Sequence, residues 1–313
     1  IYEIKFIQFL FRRQWDMLKA YAKSSNVEII GDMPIYVAYD SADTWANPEL
    51  FELDKNLKPI NVAGCPPDKF ALDGQLWGNP IYNWEKMKND NYSWWVKRLK
   101  ASLLMYDIVR IDHFRGFSGY YSIPFVDTTA RNGVWIPGPG MALFEELNKA
   151  VPNAKIIAEN LGFIDEETEK LLEDSGYPGM IIAQFEIANK VVEPFKEGFP
   201  VNNVIYTGTH DNQTINSWFE DLTLSEREYV EKECMFDINY RPNLKLIERV
   251  FHTAPKWAVI PWQDYLGLKD CEGRMNIPST LGGNWTYRSK KTDFRPDISK
   301  FMRKITAESD RQG

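Results

Sequence analysis

Short apolar runs alternate along the chain with longer segments in which apolar residues recur at helical spacing. The runs are rich in Ile and Val, as expected of strands that are buried on both faces. Most of them end in a charged residue. This pattern predicts strands over 27–32, 106–112, 155–159, 180–186, 203–211 and 256–261. Helical spacing predicts helices over 6–23, 86–104, 141–150, 165–173, 225–235, 243–251 and 297–306.

The repeated order of strand, polar tip, loop and helix predicts a parallel sheet. Such a sheet occurs in the doubly wound α/β fold and in the (β/α)8 TIM-type barrel. No GxGxxG motif follows a strand and no phosphate-binding loop is found, whereas polar residues end several strands, and both observations favour the barrel. Because about six of its eight strands are found, we expect an incomplete barrel. It would comprise the whole chain, 1–313, as one catalytic domain, with long inserted loops, above all the region 35–88.

The strand around residues 106–112 carries an informative pair of charges. Arg110 and Asp112 lie two residues apart and share one face of the strand, so a carboxylate stands at the tip and a guanidinium just below it. A neighbouring cation lowers the pKa of an acid by roughly 1–3 units, which keeps the acid ionised and available as a nucleophile. The alternative is an ion pair of purely structural use.

Three acids, Asp112, Glu159 and Asp211, end predicted strands. In a barrel the carboxyl ends of all strands lie at one face, so we expect these side chains to converge. A retaining glycosidase needs one ionised carboxylate and one protonated acid about 5–5.5 Å apart. Burial and like charge would raise the pKa of Glu159 and keep it protonated. Each acid can instead cap a helix or pair with an arginine.

Composition and net charge limit the classes of partner that the protein is expected to bind. The chain has no apolar run near the ~20 residues that a membrane span requires, and its net charge of −7 without a basic patch argues against nucleic acid. Three scattered cysteines indicate neither disulfides nor a metal site and are typical of a cytoplasmic protein. Many of the 11 Trp residues lie beside Gly, Pro or Asn, which suits a sugar-binding surface; the alternative is that they fill a large core.

Six short motifs occur in a fixed order, namely GDMPIY at 31–36, QLWGNP at 75–80, VRIDHFRG at 109–116, AENLG at 158–162, GTHDN at 208–212 and GGNW at 282–285. Together they closely resemble the 4-α-glucanotransferases, the amylomaltase or disproportionating-enzyme family (glycoside hydrolase family 77). The resemblance runs from about residue 5 to the end of the chain.

The resemblance implies retaining transfer of an α-1,4-glucan segment to the 4-hydroxyl of an acceptor glucan or glucose. Asp112 would be the nucleophile, Glu159 the general acid and then base, and Asp211 the acid that holds the sugar hydroxyls and distorts the ring. Further positions that match substrate-binding residues of the family are Asp32, Gln75, Trp77, Arg110, His113, His210 and Asn284. His113 could equally be a packing residue. The implied substrates are maltooligosaccharides, starch and glycogen, and no metal or organic cofactor is implied.

The chain departs from the family at its front, because family members begin with two further strands and an inserted subdomain. We therefore expect this chain to be the C-terminal part of a longer enzyme. Alone, it should show little or no transglycosylation, and robust disproportionation of maltotriose would refute this expectation.

Residues 65–68 resemble the family's lid, whose closure would exclude water and favour transfer.

Three other functions compete with this interpretation. An α-amylase-type hydrolase would use the same chemistry with water as the acceptor. A non-catalytic α-glucan-binding fragment would bind glucan without turnover. A nucleotide-dependent glycosyltransferase would need a phosphate-cradling loop, which the sequence lacks.

Overall fold

The computed structural model describes residues 1–67, 71–188, 198–234, 241–278, 280 and 282–311. The strands in this part of the chain are β1 (Ile30–Met33), β2 (Asn61–Cys65), β3 (Gln75–Pro80), β4 (Ile108–Ile111), β5 (Gly119–Pro124), β6 (Val134–Pro137), β7 (Lys155–Ala158), β8 (Gly179–Ile182), β9 (Asn203–Tyr206) and β10 (Trp257–Val259). The α-helices are Tyr2–Ser24, Ala42–Ala46, Trp84–Asn89, Ser93–Met105, Met141–Ala150, Glu166–Ser175, Ala183–Ala188, Ile215–Asp221, Leu224–Cys234, Pro242–Phe251, Trp262–Leu266, Asp270–Gly273 and Pro296–Glu308. Short 3₁₀ turns occur at Pro48–Leu50, Phe114–Phe117 and Lys291–Asp293.

Two three-stranded sheets have the orders β1-β4-β7 and β10-β9-β8. The pairs of β4 with β1 and with β7, and of β9 with β10, are parallel, as the alternating pattern predicts. The chain divides into two units, Ile1–Gly179 and Met180–Gly313. The prediction of a mixed α/β fold with parallel strands is confirmed, and no sheet among the described residues closes into a barrel.

The first unit also contains a four-stranded antiparallel sheet in the order β3-β2-β5-β6. Its strands arise from the region 35–88, which the sequence predicts as an inserted loop, and from residues 119–137, where no strand is predicted. The prediction of a loop without strands is wrong over 35–88. β2 pairs through residues 61–64 with β5, more than fifty residues later, so no local pattern reveals this pairing.

Several predicted boundaries are corrected by the structure. The strand predicted over 180–186 ends at Ile182 and continues as the helix Ala183–Ala188, and the strand predicted over 203–211 ends at Tyr206. The helix predicted over 86–104 is two helices, because Asn91 and Tyr92 between them take left-handed backbone conformations with φ of 56° and 54°. The last residue of the helix predicted over 225–235 lies outside the described residues.

The tryptophans divide between the core and the surface. Trp94 and Trp95 are buried in the aromatic core of the first unit, where Trp95 packs against Tyr82 and Phe117. Elsewhere, Trp45, Trp77, Trp135 and Trp285 are exposed. The core explanation alone therefore does not account for all of these rings.

Replacement of Gly64 by Ala tests the packing of the antiparallel sheet. A Cβ atom at Gly64 would lie 2.0 Å from the carbonyl oxygen of Gln75 and 2.5 Å from Cδ1 of Ile123. Because the first contact is with backbone, we expect Gly64→Ala to lower the free energy of unfolding by about 1–3 kcal/mol, measured by urea denaturation. Gly119 lies in the same sheet, and its nearest contact would be 3.6 Å away, so Gly119→Ala should change it by less than about 0.5 kcal/mol. Equal losses in the two variants would contradict the prediction.

Candidate active site

Arg110 holds two carboxylates at the end of the first parallel sheet. The pairing of β1 with β4 places Asp32 opposite Arg110, and Nη1 of Arg110 donates to both oxygens of Asp32 at 2.7 and 2.8 Å. The same nitrogen donates to Oδ1 of Asp112 at 3.0 Å. Burial alone would lower the pKa of Arg110, but Asp32, Asp112 and Glu159 outweigh it and raise the pKa. Arg110 is only 11% exposed and the Asp112 side chain 43%, so the nucleophile candidate faces solvent while its cation does not.

Glu159 lies directly after β7 and is buried, with 7% of its surface exposed. Its backbone N–H donates to the carbonyl of Ile111, which continues the ladder of β4 and β7 by one residue. Its side-chain oxygens accept hydrogen bonds from the backbone N–H groups of His113 at 2.6 Å and Leu161 at 2.8 Å. Burial raises the pKa of Glu159 to about 7, helped by the charge of Asp112 and opposed by Arg110 and by the two N–H donors. At neutral pH this carboxyl can therefore both give and accept a proton.

His113 contributes its backbone as well as its ring. Its φ of 53° lies in the left-handed region, which is uncommon for a residue other than glycine, and its N–H donates to Glu159. The ring contacts Trp77 edge to face, with 4.9 Å between centroids. Burial, with a smaller effect from Arg115, lowers the pKa of His113 to about 4, so the ring is neutral at pH 7. The ring thus packs against an aromatic neighbour while the backbone orients the acid.

Gln75 and Trp77 belong to β3 of the antiparallel sheet. Trp77 is 36% exposed, and its Nε1 donates to Oε1 of Gln75 at 3.0 Å. The contact between Trp77 and His113 joins this pair to the residue that binds Glu159. The first unit therefore connects all of its predicted site residues, which are Asp32, Gln75, Trp77, Arg110, Asp112, His113 and Glu159.

In the second unit, His210 and Asp211 lie in a turn after β9 rather than at the end of a strand. Nε2 of His210 is 3.4 Å from Oδ2 of Asp211. Oδ1 of Asp211 accepts from Nδ2 of Asn276 at 2.6 Å, and its backbone carbonyl accepts from Nη2 of Arg274 at 2.8 Å. The Trp285 ring lies 5.0 Å from the His210 ring. One carboxylate thus has an imidazole and an amide as neighbours.

The Asn284 side chain forms hydrogen bonds within the loop to which it belongs. Its Oδ1 accepts from the N–H of Ile277 at 3.0 Å, and its Nδ2 donates to Oγ1 of Thr280 at 3.1 Å. Sequence reasoning missed Arg274 and Asn276, which contact Asp211 directly. Neither residue lies at a strand end or at a periodic position, and only their proximity in sequence to the GGNW motif gave a weak signal.

No group of three or more His, Cys, Asp or Glu side chains within the described ranges is placed to hold a metal ion. In the same part of the chain, none of the helices is both long enough and apolar enough to cross a membrane. Cys65 and Cys271 form no disulfide within the described residues.

An α/β fold with a buried acid of raised pKa beside an exposed carboxylate fits the class of enzymes that act on glycosidic bonds. A model of the 4-alpha-glucanotransferase family matches residues 1–293. A 4-alpha-glucanotransferase from Clostridium butyricum is 44% identical over 306 residues, which cover 96% of this chain and 62% of the relative. The structure of an amylomaltase from Streptococcus agalactiae in complex with acarbose is similar with a TM-score of 0.92 and 41% identity, over 97% of this chain and 61% of that one. An amylomaltase from Corynebacterium glutamicum, 18% identical with a TM-score of 0.75 over 97% of this chain and 49% of that one, shares the fold.

The chain therefore belongs to the 4-alpha-glucanotransferase family, and the resemblance read from the six motifs is confirmed. It spans less than two thirds of the length of these relatives.

The charges around Glu159 lead to a prediction that does not depend on turnover. We expect its side-chain carboxyl carbon to titrate with a pKa of about 7 in an NMR pH series. Asp112→Asn should lower this pKa, because it removes a like charge. Asp32→Asn removes a carboxylate from the same guanidinium but leaves Asp112 in place, so it serves as the control and should change the pKa less. A midpoint near 4.5 in the unaltered chain would contradict the prediction.

Proposed function

We propose that the protein is a 4-α-glucanotransferase that transfers a segment of an α-1,4-glucan to the 4-hydroxyl of an acceptor glucan or glucose with retention of configuration. The observation that carries this proposal is the pair of carboxyl groups in opposite environments. Glu159 is buried with a raised pKa, while Asp112 is exposed and paired with Arg110. A retaining enzyme needs such a pair, because the acid must keep its proton and the nucleophile must stay ionised. Family membership supports the same reaction.

The reaction proceeds in two displacements at the anomeric carbon C1. The Asp112 carboxylate attacks C1, the bond from C1 to the leaving oxygen breaks, and Glu159 gives its proton to that oxygen. The product is a β-linked glucosyl ester of Asp112. Glu159, now a carboxylate, then takes the proton of the acceptor 4-hydroxyl, whose oxygen attacks C1 and releases Asp112. Two inversions restore the α linkage.

The remaining site residues would bind the sugar. Trp77 offers an exposed ring face and Gln75 an amide beside it. Arg110 and Asp32 would contact sugar hydroxyls at the end of β1 and β4. In the second unit, Asp211 with His210 would hold the hydroxyls of the distorted ring. The lid, 65–68, would decide between a glucan and water as the acceptor, and its last residue lies outside the described residues.

Asn284 would also bind the sugar, from a loop in which its side chain contacts Ile277 and Thr280. We also propose that the whole chain, 1–313, is a catalytic domain built as an incomplete (β/α)8 barrel, with about six of the eight strands and with 35–88 as an insertion. The alternation of parallel strands with helices supports this architecture. A cytoplasmic location is proposed from the three scattered cysteines, which form no CxxC pair in the sequence.

Incubation with maltotriose tests the reaction. We expect glucose together with maltodextrins longer than the substrate, identified by chromatography. The product pattern, rather than the rate, distinguishes transfer from hydrolysis. Asp112→Asn should abolish both products, since it removes the nucleophile.

Other product patterns would identify the competing functions. Products that are only shorter than maltotriose would mean hydrolysis. Binding of maltoheptaose without any turnover would mean a glucan-binding protein, and either result would contradict the proposal.

The pKa of Glu159 also sets the pH dependence. The first displacement needs Glu159 protonated, and a raised pKa of about 7 keeps it protonated below neutrality and ionised above it. We therefore expect kcat/KM for maltotriose to fall above pH 7, approaching about tenfold for each pH unit. An alkaline limb with its midpoint near the ordinary value of 4.5 would contradict the prediction, because the pKa of the acid would then not be raised.

A further inference from the structure

The segment 207–215, which carries His210 and Asp211, is tied at both ends to one buried side chain. Oγ1 of Thr207, the first residue after β9, donates to Oδ2 of Asp264 at 2.8 Å. The N–H of Ile215, the first residue of the helix Ile215–Asp221, donates to Oδ1 of the same carboxylate at 2.9 Å. Asp264 is 2% exposed, and Thr207 and Ile215 are fully buried. The two oxygens of one side chain therefore fix the distance between the two ends of the segment.

Asp264 is itself held in place. Its backbone carbonyl accepts from Nδ2 of Asn243 at 2.8 Å, and its N–H donates to the carbonyl of Pro261 at 3.0 Å. Because Asn243 belongs to the helix Pro242–Phe251, the carboxylate is anchored to an element outside the segment.

A second acid supports the same segment. Asp270 accepts from the N–H of Thr214 at 2.8 Å and from Nη1 of Arg274 at 2.8 Å. Nη2 of Arg274 in turn donates to the carbonyl of Asp211. These contacts fix the middle and the far end of the segment. Gln184 also donates to the carbonyls of Thr207 and Gln213, and the Asp264 carboxylate binds both the first and the last residue of the segment.

A carboxylate in this position is unfavourable by itself. Burial raises the pKa of Asp264 to about 6, although the bonds from Ile215 and Thr207 oppose the shift. A buried acid is retained against this cost when its two acceptor oxygens satisfy donors that would otherwise lose their partners.

We propose that Asp264 is a positioning residue for the sugar-binding turn, because it ties Thr207 to Ile215 and thereby sets the place of the Asp211 carboxylate and the His210 ring. As far as Asp211 contacts the sugar, this inference rests on the proposed function. Among the described residues, the Asp264 carboxylate forms its hydrogen bonds with Thr207 and Ile215 and not with His210 or Asp211. Its effect is transmitted through the backbone between Thr207 and Ile215.

Hydrogen exchange of the 313-residue chain, resolved by residue, tests the tie without any need for turnover. Asp264→Leu removes both acceptors, and we expect the Ile215 amide to exchange about tenfold faster, with faster exchange across 207–215. Asp264→Asn keeps both bonds, because its oxygen accepts from Ile215 and its amide donates to Thr207, and it should keep slow exchange. Ile305→Ala is the matched control, since it opens a cavity at a fully buried residue elsewhere in the second unit.

A second pair of variants covers the case in which Asp264→Leu does not fold. Thr207→Val keeps the shape of the side chain but lacks the hydroxyl and should also speed exchange across 207–215, whereas Thr207→Ser should not. Unchanged exchange of 207–215 in Asp264→Leu and Thr207→Val would overturn the proposal. An equal local effect in Ile305→Ala would overturn it too, because the change would then report general destabilisation.

Turnover of maltotriose by the same variants separates this inference from the proposed function. Where the unaltered chain is active, Asp264→Leu should lower kcat about 10- to 100-fold with a smaller change in KM, and Asp264→Asn should recover most of the loss. Wild-type kcat in Asp264→Leu would overturn the positioning role. Absence of turnover in the unaltered chain would count against the proposed function alone, and the exchange data would still decide whether Asp264 ties the segment.

Discussion

The site in the first unit depends on one guanidinium that is shared between two strands. Arg110 binds Asp32 on the neighbouring strand and Asp112 at the tip of its own. This geometry follows from the register of β1 and β4, and a slip of one residue would turn Arg110 to the opposite face. The register is fixed by strand residues that are fully buried, such as Val109 and Ile111. Hydrophobic packing therefore determines where the charges lie, and removal of the cation would leave two carboxylates uncompensated.

Asp112 and Glu159 both interact with Arg110, but their carboxyl groups lie in different environments. Asp112 lies close to the guanidinium and to solvent, so its charge is matched. Glu159 is enclosed, and burial outweighs the two N–H groups that favour its charged form. One of these donors is the N–H of His113, a residue with a left-handed backbone conformation. Burial and hydrogen bonding thus shift the pKa of Glu159 in opposite directions, and the effect of burial is the larger.

The sequence predicts those parts of the structure that depend on local pattern. The parallel strands appear as apolar runs, and Asp112 and Glu159 follow two of these strands directly. The strands and the positions of both acids can therefore be predicted from the sequence. The antiparallel sheet is not predicted, because its central pairing of β2 with β5 joins residues distant in sequence and its strands contain Gly and Pro. Asp211 was placed at a strand tip, yet β9 ends five residues earlier, because Thr209 to Asn212 form a turn with their own hydrogen bonds. Asn276 was missed, since a contact between side chains in two loops leaves no periodic signal.

The two units use different means to fix a carboxylate that follows a parallel strand. In the first unit the Arg110 guanidinium forms ion pairs with Asp32 and Asp112, and both carboxylates remain partly exposed to solvent. In the second unit a buried carboxylate, Asp264, holds the backbone on either side of Asp211 through hydrogen bonds from neutral donors. Ions screen exposed pairs but reach buried bonds much less. Salt should therefore weaken the first arrangement more than the second, because Asp32 and Asp112 are partly exposed whereas Asp264 is buried.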